Sequence, residues 1–142
     1  MATLSVANSS FYLGISGLYP PTKLQGWGVD EAFTAEPQTI SEVQLSIDGH
    51  LYGGYVNAEA PLVVTLIAAS PSAIIFDMWA AKSKGQQDVY AASGIITSPS
   101  LGFAWTLVNG FLRSYQPIPP GKKVFGSRQF GMVFENIIVA PI

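Results

Sequence analysis

A single histidine and no cysteine limit the chemistry open to this chain. His50 follows Asp48-Gly49, a pair that marks a tight turn. A histidine acting as general base needs a nucleophile within reach and a third group to orient it. A hairpin tip is a poor place to gather them, so His50 is expected to be an exposed turn residue. With one His and no Cys, a zinc site would need mostly carboxylates, which is uncommon, and no metal is expected. The chain has nine carboxylates. Asp30 and Glu31 are adjacent and in a strand would point to opposite faces. Nothing in the spacing singles out a glycosidase-type pair. "PPGKKVFG" (119–126) is not a phosphate loop, because Gln116 stands where the first Gly is required and Lys123 where the hydroxyl is required. "GWG" (26–28) lacks the third glycine of a dinucleotide fingerprint. No catalytic or cofactor-binding residue and no cofactor is expected, and the chain is not expected to be an enzyme.

The elements around these residues are mostly strands. In "SEVQLSIDGHLYGGYV" (41–56), Val43, Leu45 and Ile47 alternate with Glu42, Gln44 and Ser46, the period of a half-buried strand. Asp48-Gly49 then predicts a type I′ turn, with Leu51–Val56 as the returning partner. Tyr52 and Tyr55 fall on opposite faces. "PLVVTLIAA" (61–69) is apolar on both faces, as in a strand covered on both sides. "FYLGISGLY" (11–19) reads as a first strand ended by Pro20-Pro21. Trp27–Thr34, Val89–Thr97, Phe103–Tyr115 and Val124–Val139 complete the strand candidates. In the last of these, Phe130, Met132 and Phe134 share a face. Phe103 and Trp105 also share one, which core packing explains.

"ASPSAIIFDMWAAKSKG" (69–85) is the one helical segment, expected over about 71–84. Ser70 suits the N-cap, Pro71 the first helical position, Lys82 and Lys84 the C-terminal dipole, and Gly85 the position just past the end. At 100° per residue, Ile74, Ile75, Met78, Trp79 and Ala81 fill one arc, and Phe76 and Ala80 lie beyond it. Only Asp77 and Lys84 define a polar side. Either a deep groove covers Phe76, or the first arc packs on the chain's own sheet while Phe76 faces a neighbouring subunit. The second is the preferred expectation.

The 142 residues favour one domain, 1–142, of mainly β class: a β-sandwich or partly closed barrel with one flanking helix. The hydrophobic fraction is 49% and the charged fraction 11%, against about 25% charged in an average soluble domain. Low charge without an apolar run long enough to span a membrane points to surface hidden in an oligomer. The net charge is −2 with no basic cluster, which argues against a grip on nucleic acid phosphates. "MATLSVANSS" lacks a basic start and an apolar stretch, so no leader is expected. The long excursion 18–38 carries Leu24, Trp27 and Phe33. Such loops are usually functional or disordered, and its apolar content favours docking against an adjacent subunit or ring.

The order of elements, with the DGH turn of Val43–Val56 and "TLIAASPSAIIFDMW" within Leu62–Lys84, resembles the tail tube proteins of contractile-tailed bacteriophages, and the related pyocin and type VI secretion tubes. Excursion 18–38 is the part that does not match. The resemblance implies a structural virion protein of the tail, made in the host cytoplasm. It would form hexameric rings stacked into a tube that conducts DNA without sequence-specific binding. Its partners would be itself and the tail sheath, tape-measure and baseplate proteins. Leu24, Trp27, Phe33 and Phe76 are the expected subunit-interface residues. The alternatives are a baseplate tube-initiator or secretion-tube subunit, and a carbohydrate-binding or adhesive β-sandwich module.

Overall fold

The computed structural model describes residues 9–26 and 32–142. Its elements in chain order are β1 (Ser10–Ile15), β2 (Tyr19–Lys23), β3 (Phe33–Ala35), β4 (Ser41–Leu45), β5 (Leu51–Tyr55), β6 (Ala60–Leu66), α1 (Ala73–Gln86), β7 (Ala92–Ser98), β8 (Phe103–Tyr115) and β9 (Arg128–Pro141). Seven strands form one antiparallel sheet in the order β2-β1-β7-β8-β9-β6-β3, and β4-β5 stands apart as a two-stranded sheet.

Alternation builds the core. Ala60, Leu62, Val64 and Leu66 are the buried face of β6, and Phe130, Met132 and Phe134 that of β9. Their register sets Leu62 opposite Met132 and Val64 opposite Phe130, so the two rows pack side by side. The sheet curls without closing. Phe11 of β1 meets Phe33 of β3 edge to face, with ring centroids 6.3 Å apart. The segment 24–26 bridges the gap: Leu24 N–H donates to Phe11 C=O, and Ile67 N–H donates to Gly26 C=O. The result is a mainly β, sandwich-like fold with one helix on it, as the strand pattern predicts.

Excursion 18–38 is not the irregular loop expected. It contains β2 and β3, the two edge strands of the large sheet. Pro20 and Pro21 do not end the first strand but lie inside β2, where the missing N–H is tolerated because the strand is at the edge. Of the strand expected over 27–34, β3 supplies the end, and residues 27–31, including Trp27, lie outside the described residues.

The helix also starts and stops later than expected. Ser72, not Ser70, precedes it and makes no side-chain cap bond. Both serines are engaged elsewhere. Ser72 Oγ accepts from Gln25 N–H at 2.7 Å, and Ser70 Oγ donates to Gln25 C=O. They tie down the bridging segment, and Ser70 Oγ at the same time accepts from Ser72 N–H at 3.3 Å, the bond a capping serine makes. Gly85 lies within the helix, and Gln87 takes the left-handed terminal conformation at φ 53°.

The buried face of α1 is Ala73, Ile75, Phe76, Trp79 and Ala80. Phe76 is wholly buried and stacks on Phe130 at 4.3 Å between centroids. Phe76 therefore does not face a neighbour, which corrects the preferred expectation. Ile74 and Met78, placed by the projection toward the sheet, are exposed instead. A helix apolar nearly all round gives its periodicity no direction. The partners on β9 decide the direction, and sequence spacing does not display them.

β8 and β9 form a long ribbon, paired from Phe103 opposite Pro141 to Tyr115 opposite Phe130. Its flanks are staggered: β7 covers β8 only as far as Gly110, and β6 covers β9 only from Arg128 to Phe134. β8 bends where the cover changes. Asn109 has φ 46°, and a Cβ on Gly110 would sit 2.2 Å from the Phe134 ring.

Candidate assembly surfaces

The β4–β5 hairpin leaves the body beside the outer half of the ribbon. Its turn is not the type I′ expected. Only Gly49 has positive φ, at 87°, while Gly49 N–H bonds Ser46 C=O and Ser46 N–H bonds His50 C=O. That is a three-residue loop ending in a left-handed glycine. Ser46 Oγ also donates to the Asp48 carboxylate, holding the tip.

The hairpin is not half-buried either: every residue of both strands is exposed. Its register places Ser41, Val43 and Leu45 opposite Tyr55, Gly53 and Leu51. Cross-strand partners share a face, so Val43, Leu45, Leu51 and Tyr55 form one apolar face, and Glu42, Gln44 and Tyr52 form the other. Alternation did predict an amphipathic pair, but the chain's own core does not cover the apolar side. Tyr55 is 80% exposed. A cleft of about 390 Å³ separates the hairpin stem, at Ile40, Tyr55 and Val56, from Val108, Glu135 and Ile138 of the ribbon. His50 is exposed near the tip.

The opposite end of the ribbon carries the proline loop 116–127, in which Ile118, Val124 and Phe125 are exposed. This end is fixed to the helix by a polar latch. Arg128, whose side chain is 8% exposed, donates to both oxygens of Asp77 and, through Nε, to Gln116 C=O at 3.0 Å. Tyr115 O–H donates to the same carboxylate. Burial alone would raise the Asp77 pKa, but the bonds from Arg128 and Tyr115 outweigh it and hold it below the ordinary value. Burial and the bond to Asp77 push the Tyr115 phenol up. Lys84 sits 5.6 Å from the Tyr115 ring centre, which brings the C-terminal end of α1 to this side.

Of the four expected interface residues, Leu24 and Phe76 have their side chains buried in the chain's own core. Phe33 is half-buried against Phe11 and borders an apolar cleft of about 240 Å³ with Leu62, Trp105 and Ile137. Trp27 lies outside the described residues. Phe103, expected in the core, is 42% exposed at the outer end of the ribbon. Among the described residues, no group of three or more His, Asp or Glu is placed to hold a metal ion. No helix among them is long and apolar enough to cross a membrane.

Residues 2–138 match the family model described as "Tail fiber protein gp32". The chain belongs to the tail fiber protein gp32 family. Among curated proteins, no sequence matches it. The fold of this gp32-family chain is found in contractile injection systems. A chain in a structure of the sheath/tube terminator of the PVC extracellular contractile injection system matches with TM-score 0.66 at 10% identity, covering 99% of this chain and 98% of that one. A chain of the anti-feeding prophage baseplate matches with TM-score 0.59 at 15% identity, over 99% and 98% of the two chains. A chain of the anti-feeding prophage tube-terminating cap matches with TM-score 0.59 at 9% identity, over 100% and 93%. The family is described as a tail protein and the fold is shared with these chains of contractile injection systems, and neither singles out the tube.

Proposed function

We propose that this chain is a non-enzymatic structural subunit of a contractile tail or tail-like injection particle, and that within it the chain is a tube-type subunit. Copies form hexameric rings that stack coaxially. The rings meet the sheath, tape-measure and baseplate proteins, and DNA passes the lumen without sequence-specific contacts. The subunit is made in the host cytoplasm and ends in the tail of the virion. The observation that carries this reading is the hairpin: a projecting arm whose apolar face its own chain leaves bare, on a body shared with chains of contractile injection systems. Apolar surface of that kind marks a contact with another chain. Leu24 and Phe76 drop out of the contact set. The hairpin, the helix residues Ile74 and Met78, and Phe33 on edge strand β3 take their place.

A second reading has its own support. The chain from the sheath/tube terminator structure has the TM-score of 0.66, against 0.59 for the baseplate and cap chains, which supports a subunit that closes the end of a tube. Negative-stain electron microscopy of the purified protein, with light scattering, separates the two. Long tubes support the tube subunit. Single closed rings that never stack support the terminator. A species that stays monomeric at millimolar concentration overturns both.

A further inference from the structure

The charges of this chain are segregated. Between Lys23 and Lys82 there is no Lys or Arg, while Asp30, Glu31, Glu36, Glu42, Asp48, Glu59 and Asp77 fall in that stretch. From Lys82 to Arg128 the cations are Lys82, Lys84, Arg113, Lys122, Lys123 and Arg128, with Asp88 the one acid. Among the described residues, two pairs neutralise each other: Arg113 with Glu59, and Arg128 with Asp77. Most of the remaining described charges separate in space; Lys23 on edge strand β2, Lys82 on α1 and Asp88 just past α1 stand outside the division. Glu42 and Asp48 lie on the hairpin arm, and Glu135 lines the cleft at its stem. Lys84, Lys122 and Lys123 lie at the far end of the ribbon, where Tyr115 leads into the proline loop. The stem stands beside Val108, so the seven residues to Tyr115 put the two ends roughly 24 Å apart. Each end also exposes apolar side chains: Val43, Leu45 and Leu51 on the arm, and Ile118, Val124 and Phe125 on the loop.

We infer that copies of this chain join head to tail, the acidic hairpin arm of one seated on the basic proline-loop end of the next. This rests on the assembly reading above and names the surfaces that carry it. Opposite charge and apolar area on two different faces of one molecule make a heterologous contact, which repeats without closing if the rotation allows and so builds a stack. The apolar faces supply burial, and the charges set polarity, because arm against arm or loop against loop brings like charges together.

A charge-swap experiment tests it. Variant one, K122E/K123E, has two acidic ends; variant two, E42K/D48K, has two basic ends. All four side chains are exposed, and circular dichroism should match the wild type, with the melt of variant two lowered only slightly by loss of the Ser46–Asp48 bond at the tip. Each variant alone should associate about tenfold or more weakly than wild type by sedimentation velocity in low salt. An equimolar mixture should recover stacks of alternating composition, visible in micrographs. Variants that assemble as wild type does, or a mixture that stays as dispersed as its components, overturn the head-to-tail pairing while leaving the tail-subunit reading intact. A wild-type protein that never associates overturns that reading itself, and this inference with it.

Discussion

Replacing Phe76 with alanine removes a wholly buried ring stacked on Phe130 at 4.3 Å and 6.2 Å from the Trp79 ring. Phe-to-Ala changes in packed cores cost about 3–5 kcal/mol. The stacked geometry accounts for roughly 0.5–1.5 kcal/mol of that beyond area. Against a total domain stability of about 5–15 kcal/mol, this loss is large. At about 2–4 °C per kcal/mol for a domain of this size, the melting temperature should fall by about 6–20 °C. Urea unfolding followed by tryptophan fluorescence gives the free-energy difference, with an unchanged slope showing that the same surface is exposed on unfolding. Ile74→Ser is the control. Ile74 is 57% exposed one turn from Met78, so its loss should move stability by no more than about 0.5 kcal/mol. Phe76→Ala within about 1 kcal/mol of wild type, with association lost, would refute the burial argument and restore the outward-facing Phe76 suggested by the helix projection.

Three further outcomes are expected. Asp77→Asn leaves the buried Arg128 short of its charge partner and should cost about 1–2 kcal/mol, the partial exposure of Asp77 keeping the figure low. Because the folded-state pKa of Asp77 lies below the ordinary 3.8, its contribution is complete above that value and is lost as pH falls through the folded value. An acid titration of stability should therefore show a step below pH 3.8 in wild type that Asp77→Asn lacks. Gly110→Ala drives a methyl into the Phe134 ring and should destabilise by roughly 1–3 kcal/mol in thermal melts. The pair Leu45→Ser and Leu51→Ser sits on the bare hairpin face and should leave monomer stability within about 0.5 kcal/mol while light scattering loses the higher species.

The sequence was most informative where a residue's neighbours along the chain decide its place. Period-two alternation found the buried face of β9 and the two-faced character of the hairpin, whereas β6, read as covered on both sides, fully buries only the face of Ala60, Leu62, Val64 and Leu66. It failed where neighbours distant in sequence decide. Nothing local shows that Pro20-Pro21 sit at a sheet edge, where a missing donor is harmless. Nothing local turns Phe76 inward, since Phe130 lies more than fifty residues away. Nothing local shows that Ser70 and Ser72 also hold Gln25, forty-five and more residues away. The hairpin shows the sharpest limit: alternation reveals that one face wants cover, not whether the same chain supplies it. One signal was readable and unused, the stretch without a cation between Lys23 and Lys82.

The β8–β9 ribbon has a mechanical consequence. The hairpin arm joins the body through β6, which pairs β9 from Ala60 to Leu66, and the proline loop closes the far end of the ribbon. A pull between those two ends runs along the strands, while antiparallel hydrogen bonds lie across them. The load is therefore shared by many bonds in shear instead of opening them one after another from a tip. A molecule built this way resists stretching along the ribbon far better than peeling across it.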